Sequence, residues 1–182
     1  HAHVQVAVNE GRAAGASIAH PHAQVIALDF VPPAVEAALA RFGAAGADLV
    51  TADQSRAMTA DGLVLARAHA TAWCAAASSS EYEVRVAGPD AGPRFATSTD
   101  AEVEDIALTL RDVLRALASV LDDPPYNVVV HDAPISDDAP YHWWVRVLPR
   151  VEVAAGFELG TGVLVETVDP SRAAATLREA LA

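Results

Sequence analysis

The sequence predicts an α+β fold in which an antiparallel sheet carries one long helix and two shorter ones. Three observations lead there. Short apolar runs, some alternating strictly with polar residues, recur between turn residues along most of the chain. One stretch, Thr99 to Leu121, has helical spacing behind a strong start signal. Near the C terminus, Asp169-Pro170 pairs a helix cap with a proline at the first helical position.

Taken in order, Val4-Gln5-Val6-Ala7-Val8 alternates as a half-buried strand does. The turn from Asn9 to Ser17 follows, where Gly11 and Gly15 can adopt backbone conformations that other residues avoid. Residues 24–31 form a second strand that stops at Pro32-Pro33, and Pro33 is suited to open a short helix to about Phe42. Residues 43–61 are rich in Ala and Gly and show no clear period. Strands are expected at 63–67, 70–74 and 82–87, then a loop over 88–98. Thr99-Asp100-Ala101-Glu102 is a capping box, and behind it Val103, Ile106, Leu110, Leu114, Leu117 and Leu121 recur every three or four residues. Asp122-Asp123-Pro124-Pro125 ends that helix. Strands at 127–131, 142–148 and 162–166 precede the terminal helix.

At 182 residues the chain has the length of one domain, or of one and a half small ones. No stretch approaches the ~20 apolar residues of a membrane span, and no basic leader opens the chain, so a cytoplasmic protein is expected, away from the membrane. Cys74 is the lone cysteine, which excludes an intrachain disulfide and a Cys-x-x-Cys metal knuckle. The net charge is -12, and such a chain repels a nucleic-acid backbone. All 12 basic residues are Arg. Schiff-base chemistry is therefore excluded, and any cationic phosphate contact must be Arg or a protonated His.

The chemistry concentrates in Ser17-Ile18-Ala19-His20-Pro21-His22-Ala23-Gln24. On a strand, His20, His22 and Gln24 share one face, because side chains alternate. Imidazole is a capable nucleophile near neutral pH and can leave again after capturing a phosphoryl group. A carboxamide beside it can bond a phosphoryl oxygen yet offers no base to activate water. The glycine turn adds backbone N–H groups, and Asn9 and Ser17 add side-chain donors, of the kind that cradle phosphate.

These residues, with Pro125-Tyr126-Asn127, His131-Asp132-Ala133-Pro134, Pro140-Tyr141-His142-Trp143, Leu148-Pro149-Arg150 and Ala155-Gly156-Phe157-Glu158-Leu159-Gly160-Thr161-Gly162, resemble the galactose-1-phosphate uridylyltransferase family of the histidine-triad superfamily. The resemblance implies a histidine-triad-like sheet and a ping-pong transfer. His22 would attack the α-phosphate of a UDP-sugar and become uridylylated. A sugar 1-phosphate would then take the uridylyl group. Gln24 would bond the phosphoryl oxygens, with Asn9, Gly11 and Ser17 as further contacts and His20 as support. Glu158, Gly160 and Thr161 match a region that touches sugar hydroxyls.

The family's N-terminal half has no counterpart here. Residues 1–42 match the nucleophile strand and the end of the N-terminal repeat, and residues 43–182 match the C-terminal repeat, together forming one compact unit. Zinc at His20 would need ligands from the absent half. At the family's second metal site His131 matches one ligand position, but Trp144 and Arg146 stand where some members have His, and Glu36 is out of register. No metal site is therefore assigned. Glu152 stands where a basic phosphate contact is expected. An N-terminal-half polypeptide or a homodimer would cover an open edge at the strand Val4 to Val8.

Alternative readings are an ADP-sugar or dinucleotide phosphorylase of the same superfamily and a non-catalytic nucleotide-binding remnant. Gln24 argues against a histidine-triad hydrolase. Trp143 and Trp144 are read as packing residues, not a nucleobase platform. His69 is assigned to the surface, and His142 either to a core hydrogen bond or to the cleft. Asp122-Asp123 and Asp137-Asp138 are read as solvated turns.

Overall fold

The computed structural model describes residues 1–89, 91–135 and 140–182. Asp137-Asp138 lie outside the described residues. The strands are β1 (His3–Glu10), β2 (His22–Leu28), β3 (Leu63–Ala66), β4 (Thr71–Trp73), β5 (Val84–Ala87), β6 (Tyr126–His131) and β7 (Trp144–Pro149). They form one seven-stranded sheet in the order β2-β1-β6-β7-β5-β4-β3, with every neighbour antiparallel. The helices are α1 (Pro33–Ala45), α2 (Leu49–Thr59), α3 (Asp100–Leu121), α4 (Gly156–Thr161) and α5 (Pro170–Leu181). The architecture is α+β, as expected, with two more helices among the described residues than the sequence indicated.

The sheet is covered on both faces. Alternation sends Val84, Val86, Val128, Val145 and Val147 to one side, where they pack against Ile106, Val113 and Leu117 of α3 and Ala173, Ala174 and Leu177 of α5. Each such aliphatic side chain contributes about 1.5–3 kcal/mol on leaving water. The other face carries a second cluster in which Phe42 of α1 and Val50 and Ala57 of α2 meet Trp73, Ala87, Ala133 and Tyr141.

The capping box at Thr99 is formed. The Thr99 hydroxyl accepts from the Glu102 backbone N–H at 3.3 Å, and the Glu102 carboxylate accepts from the Thr99 N–H at 2.7 Å. The buried stripe of α3 is rotated from the expected one. Thr109 and Ala116 are fully buried, while Val103 stays 36% exposed, because small residues let the helix approach the sheet closely. Asp122 and Asp123, with φ of +58 and +56, end α3 in the left-handed region that Asp tolerates.

Three expectations are corrected, and one stretch without an assignment is filled. Residues 49–59, within the stretch that lacked a clear period, form α2, capped by Asp48 accepting from Val50 N–H at 2.9 Å and Thr51 N–H at 3.1 Å. Residues 162–166 are not a strand: no neighbour pairs with them, and the helical turn is α4 just upstream. The second strand begins at His22, leaving His20 outside it. The open edge is not β1, which lies between β2 and β6; it is β2, where Val25 is 71% exposed.

Candidate functional site

β1 and β2 pair so that Asn9 lies opposite His22 and Ala7 opposite Gln24. On its other side Asn9 lies opposite Asn127 of β6. Residues directly opposed across a ladder share a face. His22, Asn9 and Asn127 therefore form one row across three strands, with Gln24 in the next row of the same face. This is the face opposite α3 and α5.

The glycine turn holds the strand ends together. Gly11 has φ +77, and a Cβ there would stand 2.8 Å from Pro125 Cβ, so the backbone passes close over the start of β6 as only glycine allows. Gly15 has φ +79. Between them a single 3-10 turn, Arg12–Ala14, turns the Ala14 carbonyl toward Asn127.

The side chains are linked. Asn127 Nδ2 donates to the Ala14 carbonyl at 2.8 Å and to Asn9 Oδ1 at 2.7 Å. Asn9 Nδ2 donates to Gln24 Oε1 at 3.0 Å. The His22 ring is half-buried, and its Nδ1 is enclosed with no hydrogen-bond partner among the described residues. Nε2 is then the nitrogen left to reach an electrophile. Chemically, the arrangement offers one accessible imidazole nitrogen and, two residues on, an oriented carboxamide.

Among the described residues, the other expected ones make no side-chain hydrogen bond into this cluster. His20 and Ser17 are exposed in the segment before β2. Glu158, Gly160 and Thr161 lie on α4, where side-chain hydrogen bonds stay local. Glu158 accepts from the Ala155 N–H at 2.9 Å, and the Thr161 hydroxyl donates to the Phe157 carbonyl at 2.7 Å. Sequence reasoning gave Asn127 no role, since its link to Asn9 spans 118 positions.

Further along the same face a cavity of about 580 Å³ opens between the sheet and α1 and α2, lined in part by Arg41, Asp53, Trp73, Tyr141 and Trp144. Under it runs a charge network. Arg146 donates to Glu83 at 2.7 Å and to the Ser79 hydroxyl. Arg85 donates to Glu83 at 3.2 Å and to Asp53 at 2.8 Å. Burial works to raise the Glu83 carboxyl, but the Arg146 hydrogen bond and the two guanidinium charges outweigh it and hold it below its usual range. His131 stacks on Trp144 with ring centroids 4.0 Å apart. Its pKa is pushed down to about 4, chiefly by burial and then by Arg146 and Arg85.

These residues do not fit a metal ion. Trp144 and Arg146 present no ligand atoms beside His131, and two guanidinium charges lie where a cation would bind. Among the described residues no group of three or more His, Cys, Asp or Glu side chains could hold one. Glu36 is exposed on α1.

His142 takes the core alternative. It is 2% exposed, with Nδ1 at 2.6 Å from Asp48 Oδ2 and Nε2 at 3.0 Å from the Gly88 carbonyl. Burial raises the Asp48 carboxyl, but His142 and the Thr51 N–H together bring it below the ordinary range. Trp143 is buried in the main core, and Trp144 packs between His131 and Arg85, whose guanidinium carbon lies 5.1 Å from the ring centroid. His69 is exposed. No described helix is long and apolar enough to cross a membrane.

Comparison with known proteins agrees with this fold. The family described as a domain of unknown function (DUF4921) matches residues 1–182. ADP-glucose phosphorylase of Arabidopsis thaliana is 30% identical over 185 residues, which cover 97% of this chain and 52% of that protein. The crystal structure of an A. thaliana ADP-glucose phosphorylase with bound ADP-glucose superposes with a TM-score of 0.88 at 29% identity, covering 98% of this chain and 59% of that one. A uridylyltransferase structure gives 0.88 at 28% identity, over 99% of this chain and 60% of that one. The chain thus spans about half the length of the curated relative it matches. It belongs to the family of DUF4921 domains, and over nearly its whole length it resembles proteins of the galactose-1-phosphate uridylyltransferase-like branch of the histidine-triad superfamily.

Proposed function

We propose that this chain is the nucleophile-bearing portion of an enzyme that breaks down a nucleotide sugar through a nucleotidyl-His22 intermediate, with ADP-sugar phosphorolysis as the reaction. The observation that carries the proposal is the accessible Nε2 of His22 opposite Asn9, with Gln24 held by Asn9 on the same face. His22 Nε2 attacks the α-phosphorus, and the bond from that phosphorus to the bridging oxygen breaks. Sugar 1-phosphate leaves with the bond's electron pair. An oxygen of inorganic phosphate then attacks the same phosphorus, displaces His22 and yields ADP. Gln24 donates to a non-bridging oxygen as its charge grows. Asn9, Gly11 and Ser17 belong to the turn that would cradle phosphate, and His20 adjoins it.

An ADP-sugar is favoured because the A. thaliana relative is an ADP-glucose phosphorylase. Glu152, exposed on the segment after β7, stands where a basic contact to a sugar phosphate is expected, which weakens the case for a sugar-phosphate acceptor. Uridylyl transfer from UDP-glucose to a hexose 1-phosphate is the second reading, supported by the uridylyltransferase at 28% identity. Glu158, Gly160 and Thr161 would serve the sugar in either case. The exposed β2 edge is suited to a pairing strand, from a polypeptide supplying the remaining half or from a second copy.

Intact-mass spectrometry after incubation with ADP-glucose or UDP-glucose tests this. The expected result is an adenylyl adduct that inorganic phosphate removes and His22→Ala never forms. A uridylyl adduct discharged by galactose 1-phosphate would select the second reading. No adduct from either donor, with the remaining half supplied, would leave a non-catalytic nucleotide-binding remnant.

A further inference from the structure

We propose that Asn127, contributed by β6, is a positioning residue for the transfer site: through Asn9 it orients the Gln24 carboxamide so that N–H groups, not the carbonyl oxygen, meet the phosphoryl group. The proposal rests on the reading of His22 as the nucleotidyl acceptor.

A carboxamide has two ends of nearly equal shape and opposite hydrogen-bonding sense. On an exposed edge strand Gln24 could present either. The direction is set from a group that has no choice. The Ala14 carbonyl can only accept, and it lies 2.8 Å from Asn127, so the nitrogen end of Asn127 must face it. The second N–H of that nitrogen reaches Asn9 at 2.7 Å, which turns the Asn9 oxygen toward Asn127. The Asn9 nitrogen is thereby turned toward Gln24, where it meets the oxygen at 3.0 Å. Gln24 spends its acceptor on Asn9, and its two N–H groups remain for a ligand. Ala14 is 8% exposed and sits in the turn pinned by Gly11, so the origin of the relay is rigid. A carbonyl oxygen turned toward a phosphoryl oxygen would repel the charge that the donor should stabilise.

Asn127→Asp reverses the relay with little change in volume. A carboxylate at position 127 loses the bond to the Ala14 carbonyl and accepts from Asn9 instead, which turns Asn9 and makes Gln24 answer with its nitrogen and expose its oxygen. Asn127→Ser keeps a single donor and serves as the conservative control. The full chain is assayed in two ways: side-chain amide 15N–1H signals of Asn9 and Gln24 without substrate, and single-turnover labelling of His22 by ADP-glucose. Asn127→Asp is expected to shift both amide signals and slow labelling by about 10–100-fold, with apparent donor affinity little changed. Asn127→Ser should recover much of the rate, and in a Gln24→Ala background Asn127→Asp should slow labelling no further. Unchanged amide signals, or the same slowing without Gln24, would overturn the proposal. If the wild-type chain labels with no donor, the transferase reading fails, and the amide signals still decide the relay.

Discussion

His131 offers a test of how the cavity face is built. The ring lies stacked on Trp144, enclosed and flanked by the Arg146 and Arg85 guanidinium groups, so a further positive charge there is disfavoured. Its folded-state pKa is about 4 against an ordinary value of 6.5. Between those values the unfolded chain binds a proton that the folded chain does not, so stability falls as pH drops from about 6.5 toward 4. Integrating that difference gives about 2 kcal/mol lost from His131 alone between pH 7 and pH 5. For a chain of this length that corresponds to a Tm change of about 4–8 °C. His131→Asn cannot titrate, so it should lose the packing on Trp144 equally at both pH values and escape the acid-dependent loss. Urea unfolding of both proteins at pH 7 and pH 5 measures the difference, and other carboxylates cancel in the comparison. The gap between wild type and variant should narrow by about 2 kcal/mol at the lower pH. A gap that stays constant would mean that the folded protein protonates His131 freely, and the account of an enclosed ring facing guanidinium charge would be wrong.

Two further variants test the scaffold. Gly11→Ala places a Cβ 2.8 Å from Pro125 Cβ in a conformation that disfavours a side chain, and about 2 kcal/mol or more of stability should go in denaturant unfolding. A loss below about 0.5 kcal/mol would show that the turn can move away from β6 at little cost. Arg146→Met takes one of two guanidinium partners from the fully enclosed Glu83 carboxylate, leaving Arg85, and should cost about 1.5–3 kcal/mol, whereas adding Glu83→Gln should recover a large part of it. Simple additivity of those two changes would argue against the ion pair as the reason for the cost.

Much of the fold was legible because local chemistry carries it. Thr99 and Glu102 announce α3 within four residues, and Asp169-Pro170 announces α5. Valine alternation marks β1, and a run of three valines marks β6. α2 was hidden because its buried set, Val50, Gln54 and Ala57, is sparse. Its cap, Asp48, is held from outside by His142, 94 residues away. Residues 162–166 have the composition of a strand but no neighbour to pair with, and a strand needs a ladder. His20 left the shared face because pairing with Asn9 sets where β2 begins. The edge moved from β1 to β2 for the same kind of reason, since neighbours in a sheet are a property of topology.

By itself, then, the sequence determined the α+β class and the placing of His22 and Gln24 two residues apart on one strand. Those features depend on side-chain type and spacing over a few residues. Only the tertiary structure decided that Asn9, itself held by Asn127, holds Gln24 from one side. It also decided that an arginine network lies beneath the cavity beside His131 and that β2 stands open at the sheet's edge. Each of these depends on strand register and order between segments dozens to more than a hundred residues apart, which no local pattern encodes.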